Sequence, residues 1–314
     1  MAKPKPVAKQ SYLTTHRHSV RHMSLGQRAT LAITLEASAR KLGNVHPNAS
    51  FVDMKYDDFL RSAIAIGPTF DQRGKLSVGK LILESVIATQ QSVGVNTNLG
   101  TLLLMAPIAI AFRTWANHSS SETTFPERFA ALREKTIHTL DRLTPNDSRD
   151  VYAAIRHAAP GGMGKTEKLD VHQAAAPTDL LEAMRVVAEI DQVAHTYCSR
   201  FEFLFDEVVP QLQLALKHCG DINHGIRLFQ IRWLAQYGDS LVHRKLGKHE
   251  NDLLRKKSKQ LLEIFDDENQ QLTEHFEKRW ARLDRWMRET GHRRNPGTTA
   301  DLIAAGLFVL LCCE

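Results

Sequence analysis

Five short polar segments carry the residue types that could do chemistry in this chain. They combine carboxylates, hydroxyls, side-chain amides and cations, and each stands in a loop or at a helix end beside an apolar stretch. The segments are Glu36–Val45, Asp57–Phe59, Gly94–Gly100, Gly238–Gly247 and Asn295–Leu302. Binding and catalytic groups concentrate in such loops. Helix capping or solvated ion pairs also explain each segment taken singly, so spacing alone leaves its chemistry open.

Anion binding is the chemistry that the third segment favours. Gly94–Gly100 opens an apolar helix, so the first backbone N–H groups of that helix and three polar side chains could receive an anion. Those side chains belong to Asn96, Thr97 and Asn98. Simple N-capping by Asn96 or Thr97 is the alternative.

Carboxylates mark the second and fourth segments. Asp57 and Asp58 stand at the front of a predicted helix, where the helix dipole favours acidic residues in any case. Asp239 stands close to two cations, Arg244 and Lys245. A site for a charged ligand and a solvated ion-pair cluster share this arrangement, so the pattern does not choose between them.

A glycine-rich segment, Ala159–Thr166, imitates a phosphate-binding loop. It ends in Gly-Lys-Thr, but Ala159 occupies the place of the first glycine, and such a loop must follow a strand. The preceding residues, 151–158, have a helical pattern. We therefore predict a flexible turn between helices, which could still close over a ligand.

The elements that must position these segments are predicted to be helices. The chain has 314 residues, of which 43% are hydrophobic and 24% charged, which excludes a disordered chain. Sustained alternation of apolar and polar residues is absent, so we predict a single-domain all-α bundle of about ten helices over 24–314, preceded by a basic disordered arm, 1–23. The predicted helices are 24–42, 56–66, 78–92, 98–116 with a kink or break at Pro107, 126–142, 147–158, 177–217, 223–237, 250–290 and 299–312.

Charge and cysteine content narrow the class of protein further. The formal net charge of +6 favours anionic partners, and four cysteines without a pairing pattern predict a reducing cytoplasmic environment and no disulfides. The apolar stretch 302–313 is too short to span a membrane, so we expect a buried terminal helix. Residues 274–288 could present a basic aromatic surface, but Trp280, Leu283 and Met287 are spaced as the buried face of an amphipathic helix.

Taken in chain order, the five segments resemble the successive motifs of the triphosphoribosyl-dephospho-CoA synthase family, over about residues 25–313. The most specific parts are Asn96–Gly100, which reads Asn-Thr-Asn-Leu-Gly, and Pro296–Leu302, which reads Pro-Gly-Thr-Thr-Ala-Asp-Leu. Citrate-lyase members have Pro-Lys-Pro-Gly in place of Arg40–Gly43 and Gly-Asp-Thr-Asn in place of Gly238–Leu241. The lysine and the aspartate are kept, so these departures concern the acceptor substrate more than the ribonucleotide donor.

The resemblance implies an all-α enzyme that transfers the 5-triphosphoribosyl group of ATP to the 2′-hydroxyl of 3′-dephospho-CoA and releases adenine. The product would be the precursor of the prosthetic group of citrate or malonate lyase-type enzymes. The implied partners are ATP with Mg²⁺ and dephospho-CoA, without nucleic acid or membrane. A homodimer is expected if the apolar helices 98–116 and 299–313 bury more surface than one chain covers.

Substitution at a ribose anomeric carbon passes through an oxocarbenium-like state, so it benefits from carboxylates near the ring and from a base for the acceptor hydroxyl. Within the resemblance we predict these tasks for Asp239 and Asp301, and proton transfer to the leaving adenine for Glu36. An intact triphosphate needs cations, helix N-termini and Mg²⁺. The predicted ligands of ATP are Lys41, Asn44, Asn96, Thr97, Asn98, Arg244 and Lys245. The predicted ligands of the metal are Asp57, Asp58 and Asp239.

Two other hypotheses stay open on the sequence. The same ribosyl chemistry could act on a different acceptor in pterin or one-carbon cofactor synthesis. Alternatively, a non-catalytic helical protein could bind nucleotides or nucleic acid through the basic tail and the arginine-rich region 279–294, which predicts salt-sensitive binding without turnover.

Overall fold

All regular structure in the described part of the chain is helical. The computed structural model describes residues 20–116, 123–159, 178–267 and 272–314, and within these ranges no β-strand forms; His46 and Ala49 make an isolated bridge. The α-helices are α1 Leu25–Ser38, α2 Tyr56–Asp71, α3 Val78–Val93, α4 Leu99–Ala116, α5 Phe125–Leu140, α6 Pro145–Ala158, α7 Leu180–Val187, α8 Gln192–Cys198, α9 Val209–Cys219, α10 Ile222–Tyr237, α11 Ser240–Leu246, α12 Lys248–Asp267, α13 Glu274–Arg288 and α14 Gly297–Cys313. A π-helical segment, Phe203–Val208, precedes α9. The predicted all-α class is confirmed.

Two predicted features fall outside the described residues. Most of the basic arm, residues 1–19, is one of them, and the glycine-rich segment with its Gly-Lys-Thr end, within 160–177, is the other. Val20 is buried in the core, and the guanidinium of Arg21 donates a hydrogen bond to the backbone carbonyl of Glu314. The packed part of the chain therefore includes residues before Ser24, where the sequence analysis placed its start.

The two apolar helices, α4 and α14, form the centre of the bundle. Residues 302–313 of α14 are all buried, as are residues 101–109 of α4, and α14 packs against α1, α4 and α9. Helices that are apolar all round need partners on every side, and here other helices of the same chain supply them. The argument for a homodimer from these two helices is thereby removed. None of the described helices is both long and apolar enough to cross a membrane.

Pro107 does not break α4, because a distant side chain compensates for its missing N–H group. Proline at this position leaves the carbonyl of Leu103 without its intrahelical donor. The hydroxyl of Tyr197, which is fully buried in α8, donates to that carbonyl over 2.7 Å. The helix continues through the proline since the freed acceptor is satisfied.

We expect Tyr197→Phe to lower the free energy of unfolding by about 1–3 kcal/mol, since it leaves the buried Leu103 carbonyl without a donor. Chemical denaturation of the purified protein measures this change. Tyr237→Phe is the matched control: the Tyr237 hydroxyl makes a longer bond, 3.4 Å to Oε2 of Glu207, at the surface, and its loss should cost much less. Equal small losses in both variants would contradict the proposed compensation.

Several predicted helix boundaries were wrong, each for a local reason. The helix predicted to end at Gly67 continues as α2 to Asp71, because Pro68 lies on the exposed face, where water can bind the carbonyl that it leaves unpaired. The helix predicted over 177–217 is interrupted where Asp191 caps α8 by accepting from the N–H groups of Val193 and Ala194. It is interrupted again at Arg200, which has a positive φ.

Other predicted features of the second half are confirmed or refined. Trp280, Leu283 and Met287 form the buried face of α13, as predicted, and the four cysteines are free. The helix predicted over 250–290 is two helices, α12 and α13, and the short helix α11 was not predicted. Asp239 begins α11 as its N-cap.

Candidate functional site

All five polar segments meet at one cavity of about 760 Å³, which lies within the size range of small-molecule sites. The residues that these segments contribute to its wall are Glu36, Asn44, Val45, Phe59, Gly94–Gly100, Leu241, Arg244, Lys245, Asn295, Gly297, Thr298, Ala300 and Asp301. The first and fifth segments, Glu36–Val45 and Asn295–Leu302, thus converge although they lie far apart in the sequence. Most of the predicted site residues lie in this wall; Lys41, Asp57, Asp58 and Asp239 do not.

The N-termini of the two central helices open into the cavity. The first turns of α4 and of α14 both line it, and neither first turn contains an acidic residue. The unpaired N–H groups of a helix start and the helix dipole together attract anions. The floor of the cavity is therefore suited to a polyanionic ligand.

A carboxyl group with a strongly shifted pKa stands on this floor. Asp301 borders the cavity and is otherwise enclosed by protein, and its Oδ1 accepts a hydrogen bond from the hydroxyl of Thr101 over 2.7 Å. Burial raises the pKa of Asp301 to about 8; the hydrogen bond from Thr101 opposes this rise, and the charges of Glu36 and Asp239 add to it. At neutral pH Asp301 is mostly protonated.

Gly100 makes the close approach of α4 to Asp301 possible. A Cβ atom at this position would overlap Oδ2 of Asp301. The glycine in the Asn-Thr-Asn-Leu-Gly segment thus leaves space for a carboxyl group on a helix that is distant in sequence.

Another carboxyl group in the wall, that of Glu36, forms a buried ion pair. Its Oε1 lies 2.9 Å from Nζ of Lys41, which also donates to the backbone carbonyls of Glu36 and Ala39. Burial raises the pKa of Glu36, and the ammonium group of Lys41 opposes that rise. Lys41 is buried, and its ammonium group is engaged by these three acceptors. The helix α1 ends at Ser38, before the predicted end at Leu42. Lys41 therefore influences the cavity through the charge and position of the Glu36 carboxyl group.

Two cations of α11 face the cavity. Arg244 pairs with Asp191, its Nη1 2.9 Å from Oδ2. No hydrogen bond or ion pair joins the side chain of Lys245 to another residue of the described part of the chain. Burial lowers the pKa of Lys245, while Asp239 and Asp53 oppose that shift. Lys245 is thus available to a bound anion.

The amide and hydroxyl side chains of the first and third segments are partly engaged with protein. Oδ1 of Asn96 accepts from the N–H of Leu99, which confirms the capping role considered for it. The Thr97 hydroxyl donates to Ser62 over 2.8 Å, and Asn98 exchanges hydrogen bonds with Thr89.

Asn44 is similarly held. Its Nδ2 donates to Asn295 over 2.6 Å, and its Oδ1 accepts from Gln230 over 2.9 Å. The bond between Asn44 and Asn295 connects the first and fifth segments. Asn44, which was predicted to bind ATP, therefore also stabilises the cavity wall.

Asp239 lies behind the cavity wall and is fully buried. Its Oδ1 accepts from the N–H groups of Leu241 and Val242, and its Oδ2 accepts from the N–H and the hydroxyl of Thr299. These four bonds fasten α11, which carries Lys245, to α14, and burial nevertheless raises the pKa of Asp239. Direct catalysis and metal binding by Asp239 stay predictions; its contacts are those of a positioning residue.

The predicted metal ligands are not brought together. Asp57 pairs with Arg61 at the surface, and Asp58 accepts from the backbone N–H of Lys55 at the start of α2. Among the residues that the structure describes, no group of three or more histidines, cysteines or carboxylates could hold a metal ion. Asp57, Asp58 and Asp239 therefore do not form a metal centre together, and metal binding by any one of them stays a prediction.

Three residues at the cavity, Asp191, Asp53 and His292, were not predicted from the sequence. Asp191 caps α8 and forms an ion pair with Arg244. Nδ1 of His292 lies 3.1 Å from Oδ2 of Asp53, and both residues line the cavity. Asp191, Asp53 and His292 lie outside the five polar segments from which the site was predicted. Their only sequence signal is the N-cap pattern of Asp191, which is common to helix starts.

Comparison with known proteins assigns a family to this architecture. The sequence matches the family model CitG, described as ATP:dephospho-CoA triphosphoribosyl transferase, over residues 22–314. No curated protein matched the sequence. The fold is similar to a crystal structure from Archaeoglobus fulgidus, named as a candidate triphosphoribosyl-dephospho-CoA synthase, with a TM-score of 0.57 and 20% identity over 81% of this chain and 98% of that chain. At that identity the likeness concerns the fold alone. Because the family model spans nearly the whole chain, the protein belongs to the ATP:dephospho-CoA triphosphoribosyl transferase family, whose members transfer the triphosphoribosyl group of ATP to dephospho-CoA.

Proposed function

We propose that the cavity at the N-termini of α4 and α14 is the site where this transfer takes place. The observation that supports it most is the convergence of all five polar segments on one cavity, which combines the N-termini of two helices with the carboxyl groups of Glu36 and Asp301. A triphosphate, a ribose ring and two proton transfers require this combination of groups.

Asp301 is proposed as the proton donor to adenine. Its pKa of about 8 keeps it protonated at neutral pH, so it can give a proton to the base as the bond between C1′ and the adenine nitrogen breaks. Glu36, whose carboxylate form is favoured by Lys41, then accepts the proton of the acceptor 2′-hydroxyl as its oxygen bonds to C1′. The roles of the two residues are thus set by their different neighbours. One proton thus passes from Asp301 to adenine, and a second passes from the acceptor hydroxyl to Glu36.

The negative charge of the triphosphate is complementary to Lys245, Arg244 and the two helix N-termini, so we propose that it binds there. We propose that Mg²⁺ enters with ATP, because phosphate oxygens and water can fill most of its six positions when the protein offers one or two ligands or none. No step of the transfer is assigned to the ion. We also propose a cytoplasmic location, where ATP and dephospho-CoA are available and the four free cysteines stay reduced.

The two alternative hypotheses receive no support from the comparisons. A pterin-type acceptor and a non-catalytic nucleic-acid-binding role each lack a matching family, and the aromatic residue Trp280 is packed in the core rather than presented to a polynucleotide.

The test is to incubate the purified protein with ATP, Mg²⁺ and dephospho-CoA and to follow adenine by chromatography. Adenine should appear only when dephospho-CoA is present, and Lys245→Met should raise KM for ATP by about tenfold or more, since one charge-assisted contact to phosphate is lost. Lys278→Met is the matched control, because Lys278 pairs with Glu274 at the surface of α13. Adenine release without any acceptor, or an unchanged KM in the Lys245 variant, would contradict the proposal.

A further inference from the structure

Part of the cavity has a chemistry that the polar floor does not explain. One side of it, here called the apolar wall, comes from α7 and the turn that follows. The apolar wall consists of Leu180, Ala183, Met184, Val186, Val187 and Ile190. It contains no charged side chain, although α7 itself carries Glu182 and Arg185, which are exposed and do not line the cavity.

The helix is anchored so that apolar side chains remain open to the cavity. Leu180 and Met184 are buried and fix one face of α7 in the core, while α7 packs against α6 and α8. Val186 and Ile190 are 47% and 45% exposed, and they are two of only five large hydrophobic residues with such exposure among the described residues. Apolar groups left open inside a concave site usually await an apolar part of a ligand.

The substrates of the family offer one segment that matches. In ATP the triphosphate belongs with the cations and helix N-termini, and the adenine must reach the proton of Asp301. Dephospho-CoA carries in addition a long pantetheine chain with a dimethyl-substituted carbon and several methylene groups. That chain is the only extended aliphatic portion of either reactant.

We propose that the apolar wall binds the pantetheine chain of the acceptor and thereby separates dephospho-CoA from nucleotides that lack this chain. The inference rests on the proposed function, since it takes the acceptor from the family assignment. It assigns α7 to acceptor recognition, whereas α11 and the N-termini of α4 and α14 recognise the donor. Val186 and Ile190 are specificity residues in this scheme and take no part in proton transfer.

The test compares dissociation constants measured by calorimetry for two ligands. Dephospho-CoA contains the chain, and adenosine 5′-diphosphate is the same nucleotide without it. Val186→Asn and Ile190→Asn should each weaken dephospho-CoA binding by about tenfold, the size expected for one apolar contact, and leave binding of adenosine 5′-diphosphate and KM for ATP unchanged. Leu214→Asn, at another exposed apolar position and outside the cavity, is the matched control and should change neither constant.

The outcomes separate this inference from the proposed function. Adenine release by the wild-type protein together with unchanged dephospho-CoA binding in both variants would overturn the inference alone. Tight dephospho-CoA binding that the variants weaken, without any adenine release, would support the apolar wall and overturn the proposed function. Variants that change the sedimentation coefficient but not the dissociation constant would make this face a contact between two copies of the chain, and would also overturn the inference.

Discussion

Replacing Asp301 by asparagine is expected to slow adenine release by about 10² to 10⁴, the usual contribution of a positioned general acid. Asparagine keeps the size of the side chain and can still accept the hydrogen bond of Thr101, but it has no proton of suitable acidity to give to adenine. KM for ATP should change little, because the proposed phosphate contacts are those of Lys245, Arg244 and the helix N-termini. Chromatographic assay of adenine at saturating ATP and dephospho-CoA measures the effect.

The same substitution should stabilise the protein without ligands, in a pH-dependent way. The pKa of Asp301 is raised on folding from 3.8 to about 8, so the folded state holds its proton and the unfolded state loses it as pH increases. Wild-type stability should therefore fall relative to Asp301→Asn between about pH 4 and pH 8, and the difference should level off above the folded pKa. Thermal unfolding of both proteins across this range measures the difference.

Asp252→Asn is the control for both effects, because Asp252 pairs with Arg255 at the surface. It should leave the rate of adenine release and the pH dependence of Tm as in the wild type. A variant at Asp301 that is inactive but shows no gain in Tm at pH 8 would mean that the carboxyl group is ionised in the free enzyme. The acid role would then pass to another group.

The site was easier to predict from the sequence than the role of each residue in it. The segments were recognisable because glycines, asparagines and aspartates cluster at helix starts, and Gly100 shows that even a small residue there is dictated by a side chain on another helix. Burial, in contrast, depends on which helices pack together. Catalysis by Asp239 stays a prediction, and the four hydrogen-bond donors around its carboxylate, two of them from Thr299 on α14, became known only from the fold.

Two predictions about helix continuity, at Pro107 and at Asp191, concern places where a side chain from a distant helix makes a contact. Pro107 suggested a break in α4, but the hydroxyl of Tyr197 supplies the missing donor. Asp191 was read as part of one long helix, yet its side chain begins α8 and holds Arg244 at the cavity. The hydrogen bond of Tyr197 to Leu103 and the ion pair of Asp191 with Arg244 could not be inferred from sequence spacing, since the partners lie on helices far apart in the chain.

Lys41→Met is expected to lower the free energy of unfolding by about 3–5 kcal/mol, the usual cost of breaking a buried ion pair on one side. The substitution leaves the carboxyl group of Glu36 buried without its cation, and it removes the hydrogen bonds that the ammonium group donates to the backbone carbonyls of Glu36 and Ala39. If Lys41 instead bound phosphate directly, its loss would raise KM for ATP and change stability little. Denaturation and adenine assays on one variant therefore distinguish a structural from a ligand-binding lysine.

A double variant tells whether the cost comes from the unpaired carboxylate. Lys41→Met with Glu36→Gln removes both charges, so it should recover a large part of the lost stability, although activity should stay low because Glu36 is the proposed base. Lys80→Met is the control, since Lys80 makes a half-exposed pair with Glu84 over 3.3 Å and its loss should cost less than about 1 kcal/mol. If the double variant were as unstable as the sum of its single variants, the two side chains would be energetically independent. The pairing of Lys41 with Glu36 would then not be what holds the Glu36 carboxylate in the cavity wall.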